Sequence, residues 1–310
     1  MRIVFMGTPV FASLSLERLY HDWGDVVAVI TQPDKPRNRG MKVSYSPVKQ
    51  LAMTHGTQIY QPATLKDSSV VDIIRKLSCD IIVVVAYGRL LPRVILDLPP
   101  YGCINIHASL LPKYRGAAPI QWAILSGETE TGVTSMYMTD ELDAGDVIYR
   151  KKIPIGENET SGELHDRMSV AGAELLNETL AGISRGTAAR LPQVHAEASY
   201  APPLEKGISP IDWTDSALNI KRKVRALNPW PVATAKFDER VYKIFSVDIV
   251  EKKAGVLSPG EIVSAGQHGI EVDCSDAAEI IKELQAPGGK RMAACEYLKG
   301  HKELLSRDGG

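Results

Sequence analysis

The stretch Cys103–Gln121, CINIHASLLPKYRGAAPIQ, carries the reading of this chain. It opens as a short apolar run, then breaks at Ser109-Leu-Leu-Pro112 into a basic turn, Lys113-Tyr-Arg115-Gly116. A run of this kind is what a strand buried on both sheet faces looks like. Residues i and i+2 of a strand share a face, so Asn105 and His107 are expected to project side by side. An amide donor beside a titratable imidazole suits polarising a carbonyl and moving a proton, the two needs of acyl transfer. An Asn-x-His pair alone is a weak signal, because a histidine at a buried strand end is more often a hydrogen-bonded core residue.

Upstream of this strand the same pattern repeats. Ile3–Met6, Val26–Thr31 and Ile81–Val85 are short, β-branched and apolar. Between them Ala12–Tyr20, Pro47–His55 and Ser69–Leu77 have helical periodicity. Strands alternating with helices predict right-handed βαβ units and a doubly wound, mostly parallel sheet of Rossmann-like type. Downstream, strands are expected at Val133–Met138 and Val147–Ile153, flanking a loop that contains Glu141-Leu-Asp-Ala-Gly-Asp146. Thr160-Ser-Gly-Glu163 is a capping box opening a long helix.

Residues from about Arg185 to Pro210 are rich in Ala, Pro, Gly and Ser, which predicts a linker. A helix is expected at Asp215–Leu227, stopped by Asn228-Pro-Trp-Pro231. Short strands follow at Thr234–Phe237, Val241–Val250, Glu261–Val263, Ile270–Cys274 and Ala278–Leu284, with a closing helix near Met292–Leu298. That spacing predicts a small β-barrel. The domains expected are 1–188, a linker 189–206, and 207–310.

At 310 residues the chain suits two domains. Its net charge is -1, so no global basic field draws in nucleic acid. Cys79, Cys103, Cys274 and Cys295 form no CxxC pair, so neither a disulfide framework nor a metal site is expected. The opening MRIVFMGTP has a strand pattern and not that of a leader, and no run approaches the ~20 apolar residues of a membrane span. A soluble, cytoplasmic monomer is the expectation. Gly7-Thr-Pro-Val-Phe11 lacks the second and third glycines of GxGxxG, and no GxxxxGK[ST], HExxH or GxSxG occurs. Hydride transfer, phosphoryl transfer, metallohydrolysis and serine hydrolysis thereby lose their usual sequence support.

Taken together, the motifs resemble the folate-dependent formyltransferases. The resemblance rests on Gly7-Thr-Pro-Val-Phe-Ala12, Thr31-Gln-Pro-Asp34 through Ser46-Pro-Val-Lys49, Ala86-Tyr-Gly88 with Leu91-Pro92, the Asn105–Gly116 run and Leu227-Asn-Pro-Trp-Pro231. It extends to about Gly300 and is nearest to the branch that formylates the α-amine of methionine on initiator tRNA from 10-formyltetrahydrofolate. The resemblance implies catalytic roles for Asn105, His107 and Asp143. It implies a folate site at Ser109, Leu110, Leu111 and Pro112, with Tyr87, Gly88 and Leu91 beside the pterin, and no metal. It implies that the OB-like C-terminal domain and the loop Asp34–Lys42 meet tRNA. The basic residues expected there are Arg37, Arg39, Lys42, Lys206 and Arg222. Many relatives carry a Lys-rich segment before Asp212-Trp213, where this chain has only Lys206. From Lys206 onward it holds about 16 basic against 15 acidic residues. Two alternatives stand beside this reading: a formyltransferase for a small amine such as a nucleotide-linked amino sugar, and a non-catalytic nucleic-acid-binding module.

Overall fold

In the computed structural model, which describes residues 1–37, 42–237, 239–251 and 258–301, the apolar runs become the strands of one seven-stranded sheet. In chain order these are β1 (Ile3–Gly7), β2 (Val26–Ile30), β3 (Ile59–Tyr60), β4 (Ile81–Val85), β5 (Cys103–His107), β6 (Glu130–Tyr137) and β7 (Val147–Pro154). Their spatial order is β7-β6-β5-β4-β1-β2-β3. The five strands from β3 to β5 are parallel, and β6 and β7 are antiparallel additions. Every residue of β1, β4 and β5 is buried, which is why these strands show no polar alternation.

Helices α1 (Val10–Asp22), α2 (Pro47–Thr54) and α3 (Ser68–Leu77) make the crossovers. Ser46 caps α2, its Oγ accepting from the Lys49 N–H at 3.1 Å, with Pro47 in the first turn. Asp67 caps α3, and the Ser69 N–H on its carboxylate holds that acid below its ordinary range. Inward residues of α3 pack with Val4, Met6, Ile30, Ile82, Val84 and Cys103 in one core. The longest helix, α4 (Ser161–Ser184), opens with the predicted capping box. The Glu163 carboxylate accepts from the Thr160 N–H at 2.8 Å, and the Glu163 N–H reaches Thr160 Oγ1 at 3.3 Å.

Contacts divide the chain into two units. The first comprises Met1–Pro119, Glu130–Pro154 and His165–Pro202. The second comprises Ile120–Thr129, Ile155–Leu164 and Pro203–Gly310, so the chain enters it three times. The second unit holds an antiparallel sheet of β8 (Ala233–Phe237), β9 (Arg240–Val250), β10 (Ile262–Gly266), β11 (Gly269–Asp273), β12 (Ala278–Gln285) and β13 (Arg291–Ala293). The order is β8-β9-β12-β11-β10, with β13 also on β12. Helices α5 (Ala217–Ala226) and α6 (Ala294–Gly300) accompany it.

The segment 189–206 is in part tied down. Leu191 and Val147 exchange backbone hydrogen bonds at 2.9 and 3.0 Å, and Tyr200–Ala201 pairs in parallel with Arg115–Gly116. These attachments involve two or three residues each, too few to leave a periodic signal in the sequence.

Candidate active site

The strand order 3-2-1-4-5 puts the reversal of direction between β1 and β4, where open α/β sheets bind ligands beyond their strand C-termini. Gly7 ends β1 there. A Cβ on it would lie 2.7 Å from the Ala12 Cβ and 2.8 Å from the Val85 carbonyl oxygen, so close packing fixes this glycine. Beyond β4 the chain turns through Ala86 and Gly88, both with positive φ (46° and 80°).

On β5, Ile106 lies against α4, where its Cγ2 would be 3.2 Å from a Cβ on Gly172. Cys103 belongs to the core on the opposite face. The pleat therefore sends Asn105 and His107 to the Cys103 face, as the i, i+2 spacing predicts. Burial pushes the Cys103 thiol up, so it is no ready nucleophile. Asn105 is 9% and His107 6% exposed.

His107 has a hydrogen-bond partner on Nε2 and a carboxylate opposite Nδ1. Its Nε2 lies 2.9 Å from the Tyr114 carbonyl oxygen. A carbonyl can only accept, so Nε2 carries a hydrogen and the neutral ring keeps its lone pair on Nδ1. Nδ1 faces Asp143 Oδ2 at 3.6 Å. A proton arriving at Nδ1 would create an imidazolium directly opposite a carboxylate. Asn105, by contrast, makes no side-chain hydrogen bond among the described residues, leaving its N–H groups available to a ligand oxygen.

Asp143 is held in an unusual place. Its φ is +49°, a left-handed conformation tolerated by Asp at modest cost. Its Oδ2 accepts from the Gly116 N–H at 2.8 Å. Two residues on, a Cβ on Gly145 would sit 1.8 Å from the Tyr137 carbonyl oxygen, so only glycine fits that turn. The basic turn thus supplies both the Tyr114 carbonyl for the histidine and the Gly116 amide for the aspartate.

The predicted folate residues flank these groups. Ser109 is fully buried, its hydroxyl donating to the Lys113 carbonyl at 2.6 Å, and the Ser109 carbonyl accepts from Thr134 Oγ1 at 2.6 Å. Leu110 lies against Gly132, whose missing Cβ would meet it at 2.6 Å. Leu111 packs with Met136 and Val147, and Pro112 is half-buried. Tyr87 and Leu91 place their side chains in the core shared with α3, and Gly88 is exposed. The Tyr87 carbonyl accepts from Gln32 Nε2 at 2.9 Å. Burial pushes the Tyr87 hydroxyl up. Leu90, in the same loop, is more than half exposed.

A family model described as formyl transferase matches residues 1–180, and one described as formyl transferase, C-terminal domain, matches residues 203–302. A methionyl-tRNA formyltransferase of Acetivibrio thermocellus is 45% identical over 302 residues, spanning 97% of each chain. One from Geotalea uraniireducens is 47% identical over 302 residues, spanning 97% of this chain and 96% of that one. The chain belongs to the methionyl-tRNA formyltransferase family.

Solved structures share the fold. The N-formyltransferase from Helicobacter canadensis, in complex with folinic acid and dTDP-3-aminofucose, superposes with a TM-score of 0.69 at 19% identity, over 94% of this chain and 100% of that one. HypX from Aquifex aeolicus, in complex with tetrahydrofolic acid, gives 0.63 at 21% identity, over 96% of this chain and 47% of that one.

The basic residues that the family resemblance assigned to tRNA belong to different elements of the chain. Arg37 and Lys42 pair directly across a short antiparallel hairpin, Lys35–Arg37 with Lys42–Ser44. Arg39 lies outside the described residues. Lys206 is exposed at the start of a short 3-10 turn in the second unit. Arg222, on α5, lies over the bare Cα of Gly127 and donates to Asn219 Oδ1 at 3.2 Å. Among the described residues no cluster of three His, Cys, Asp or Glu side chains is arranged to hold a metal, and no helix is long and apolar enough to cross a membrane. Sequence reasoning did not find Gln193 or the Tyr114 carbonyl. The first lies in the expected linker, and the second is a backbone atom with no residue signature.

Proposed function

We propose that this protein transfers the formyl group of 10-formyltetrahydrofolate to the α-amine of methionine on initiator tRNA. The observation that carries this is the 45–47% identity to methionyl-tRNA formyltransferases along 97% of the chain. The amine nitrogen attacks the formyl carbon, the bond from that carbon to folate N10 breaks, and the amine's proton ends on the departing nitrogen. The nucleophile belongs to the substrate, so the protein must supply charge stabilisation and proton handling.

Asn105 donates to the carbonyl oxygen as it becomes an oxyanion; one such donor is typically worth ~100–1000-fold in rate. Nδ1 of His107 takes the proton shed by the attacking amine, with the Tyr114 carbonyl fixing the tautomer. Asp143 faces the imidazolium that results and favours it electrostatically. Ser109–Pro112, with Tyr87, Gly88 and Leu91, border the folate. Arg37, Arg39, Lys42, Lys206 and Arg222 are assigned to tRNA phosphates. The functional division is a catalytic domain 1–188, a connector 189–206 and a tRNA-binding domain 207–310, acting as a monomer in the cytoplasm.

The test is incubation with 10-formyltetrahydrofolate and, separately, methionyl-tRNA or a nucleotide-linked amino sugar. Formyl transfer to methionyl-tRNA alone is the expected result. Transfer to the sugar amine and not to tRNA would replace this reading with the small-amine one.

A further inference from the structure

Asp143 faces His107 from a left-handed turn of its loop, and that turn is pinned from outside the loop. The side chain doing so is Gln193. Its Nε2 donates to the Asp143 carbonyl at 2.9 Å and to the Gly145 carbonyl at 2.8 Å. Its Oε1 accepts from Arg115 Nε at 3.1 Å and Nη2 at 2.7 Å. Gln193 is 6% and Arg115 3% exposed. The amide orientation follows from the chemistry: a guanidinium only donates and carbonyls only accept, so Oε1 must face Arg115 and Nε2 the loop. All four hydrogen bonds are then satisfied in a water-poor setting, where each is worth more and a missing one costs more.

The rest of the segment braces Gln193 on either side. Leu191 bonds Val147, at the far end of the Asp143 loop. The Ser199 carbonyl accepts from the Arg115 N–H at 2.8 Å, and that of Ala201 from the Ala117 N–H at 2.9 Å. The segment 191–201 is thus a strap fastened at both ends, with Gln193 gripping the loop between them. A non-glycine residue in the left-handed region persists only when its surroundings over-determine it. Three attachments do that here: the two carbonyl bonds from Gln193 and the Gly116 amide on the Asp143 carboxylate.

We propose that Gln193, held by Arg115, is a positioning residue that fixes Asp143 opposite His107. This rests on the catalytic role assigned to Asp143 above. Misplacing a reacting group by about 1 Å costs on the order of 100-fold in rate. A glutamate in place of Gln193 would be a poor substitute, because its carboxylate still serves Arg115 but cannot donate to the loop carbonyls.

The experiment is a double-mutant cycle on formyl transfer to methionyl-tRNA. Gln193→Glu, and independently Gln193→Ala, are each made alone and combined with Asp143→Ala, with thermal melts run on all. Alone, each Gln193 change is expected to lower kcat by ~10–100-fold, with KM for folate and tRNA within about 3-fold of the parent. In the Asp143→Ala background the same change is expected to alter kcat by less than about 2-fold, because what it positions is gone. A kcat loss of equal size in both backgrounds would make Gln193 merely structural and overturn the proposal. So would a normal kcat in both single Gln193 variants while Asp143→Ala is crippled. If Asp143→Ala itself turned over normally, the role of Asp143 would fall first.

Discussion

Asn105 and His107 share one face of β5, but the protein treats them in opposite ways. His107 is fixed by the Tyr114 carbonyl on Nε2, with the Asp143 carboxylate facing Nδ1. Asn105 is left without a side-chain partner among the described residues although nine-tenths buried. No side-chain hydrogen bond among the described residues ties up that amide, so its N–H groups can turn to a ligand oxygen. Two outcomes follow for single variants assayed with methionyl-tRNA. Asn105→Ala is expected to lower kcat by ~100–1000-fold with the melting temperature little changed, since no side-chain hydrogen bond among the described residues is lost. His107→Ala is expected to lower kcat by at least ~100-fold. Normal turnover in either would remove that residue from the mechanism. Asp143 entered only through the family resemblance, but the shared face of Asn105 and His107 was legible in the sequence through the strand period of two. The residues that hold them were not. Gln193 meets Arg115 across 78 positions of sequence, a distance no local pattern spans.

At the scale of elements, the longer apolar and capped segments were readable and the shortest were not. Ile81–Val85 has the same limits in sequence and structure. The capping box fixed the start of α4, since both of its reciprocal bonds form. The helix Pro119–Leu125 escaped because PIQWAIL is a brief apolar run with no polar period to reveal a face. The two-residue pairing of Arg115–Gly116 with Tyr200–Ala201 escaped for want of length. The loop between β6 and β7 shows how an element and the site depend on each other. A methyl on Gly145 would meet the Tyr137 carbonyl oxygen at 1.8 Å, and that oxygen belongs to the end of β6, which cannot retreat without breaking its ladder. Gly145→Ala must therefore displace the loop, and Asp143 with it. Expected are a kcat loss of ~10–100-fold and a lowered melting temperature, overpacking of this kind costing about 1–3 kcal/mol. Full activity with an unchanged melt would mean that the loop tolerates a shift without moving Asp143.

At the scale of the whole molecule, a net charge of -1 gives tRNA no global field to follow, so recognition depends on where the basic residues are placed. From Lys206 onward the chain is close to charge-balanced, with about 16 basic against 15 acidic residues, and the sheet there buries Glu271, Asp273 and Glu279. Glu279, on β12, is fully buried, and neither carboxylate oxygen has a hydrogen-bond partner among the described residues. Desolvation, with smaller contributions from Asp248 and Asp276 against an opposing one from Lys221, raises its pKa to about 8. In the unfolded chain the same group titrates near 4.3, at about its model-peptide value. Between those values the folded protein holds a proton that the unfolded chain has released. The contribution of Glu279 to stability is therefore greatest below its unfolded pKa and falls as pH rises, at up to ~1.4 kcal/mol per pH unit, levelling off once the folded pKa is passed. Glu279→Gln removes this dependence, because an amide of nearly the same shape carries no proton to lose. Thermal unfolding followed from pH 5 to pH 8 is expected to show the parent losing ground to Glu279→Gln as pH rises, with the variant the more stable at pH 8. Parallel curves would show that Glu279 already has a partner for its charge, and that the acid does not set how the stability of this unit changes with pH.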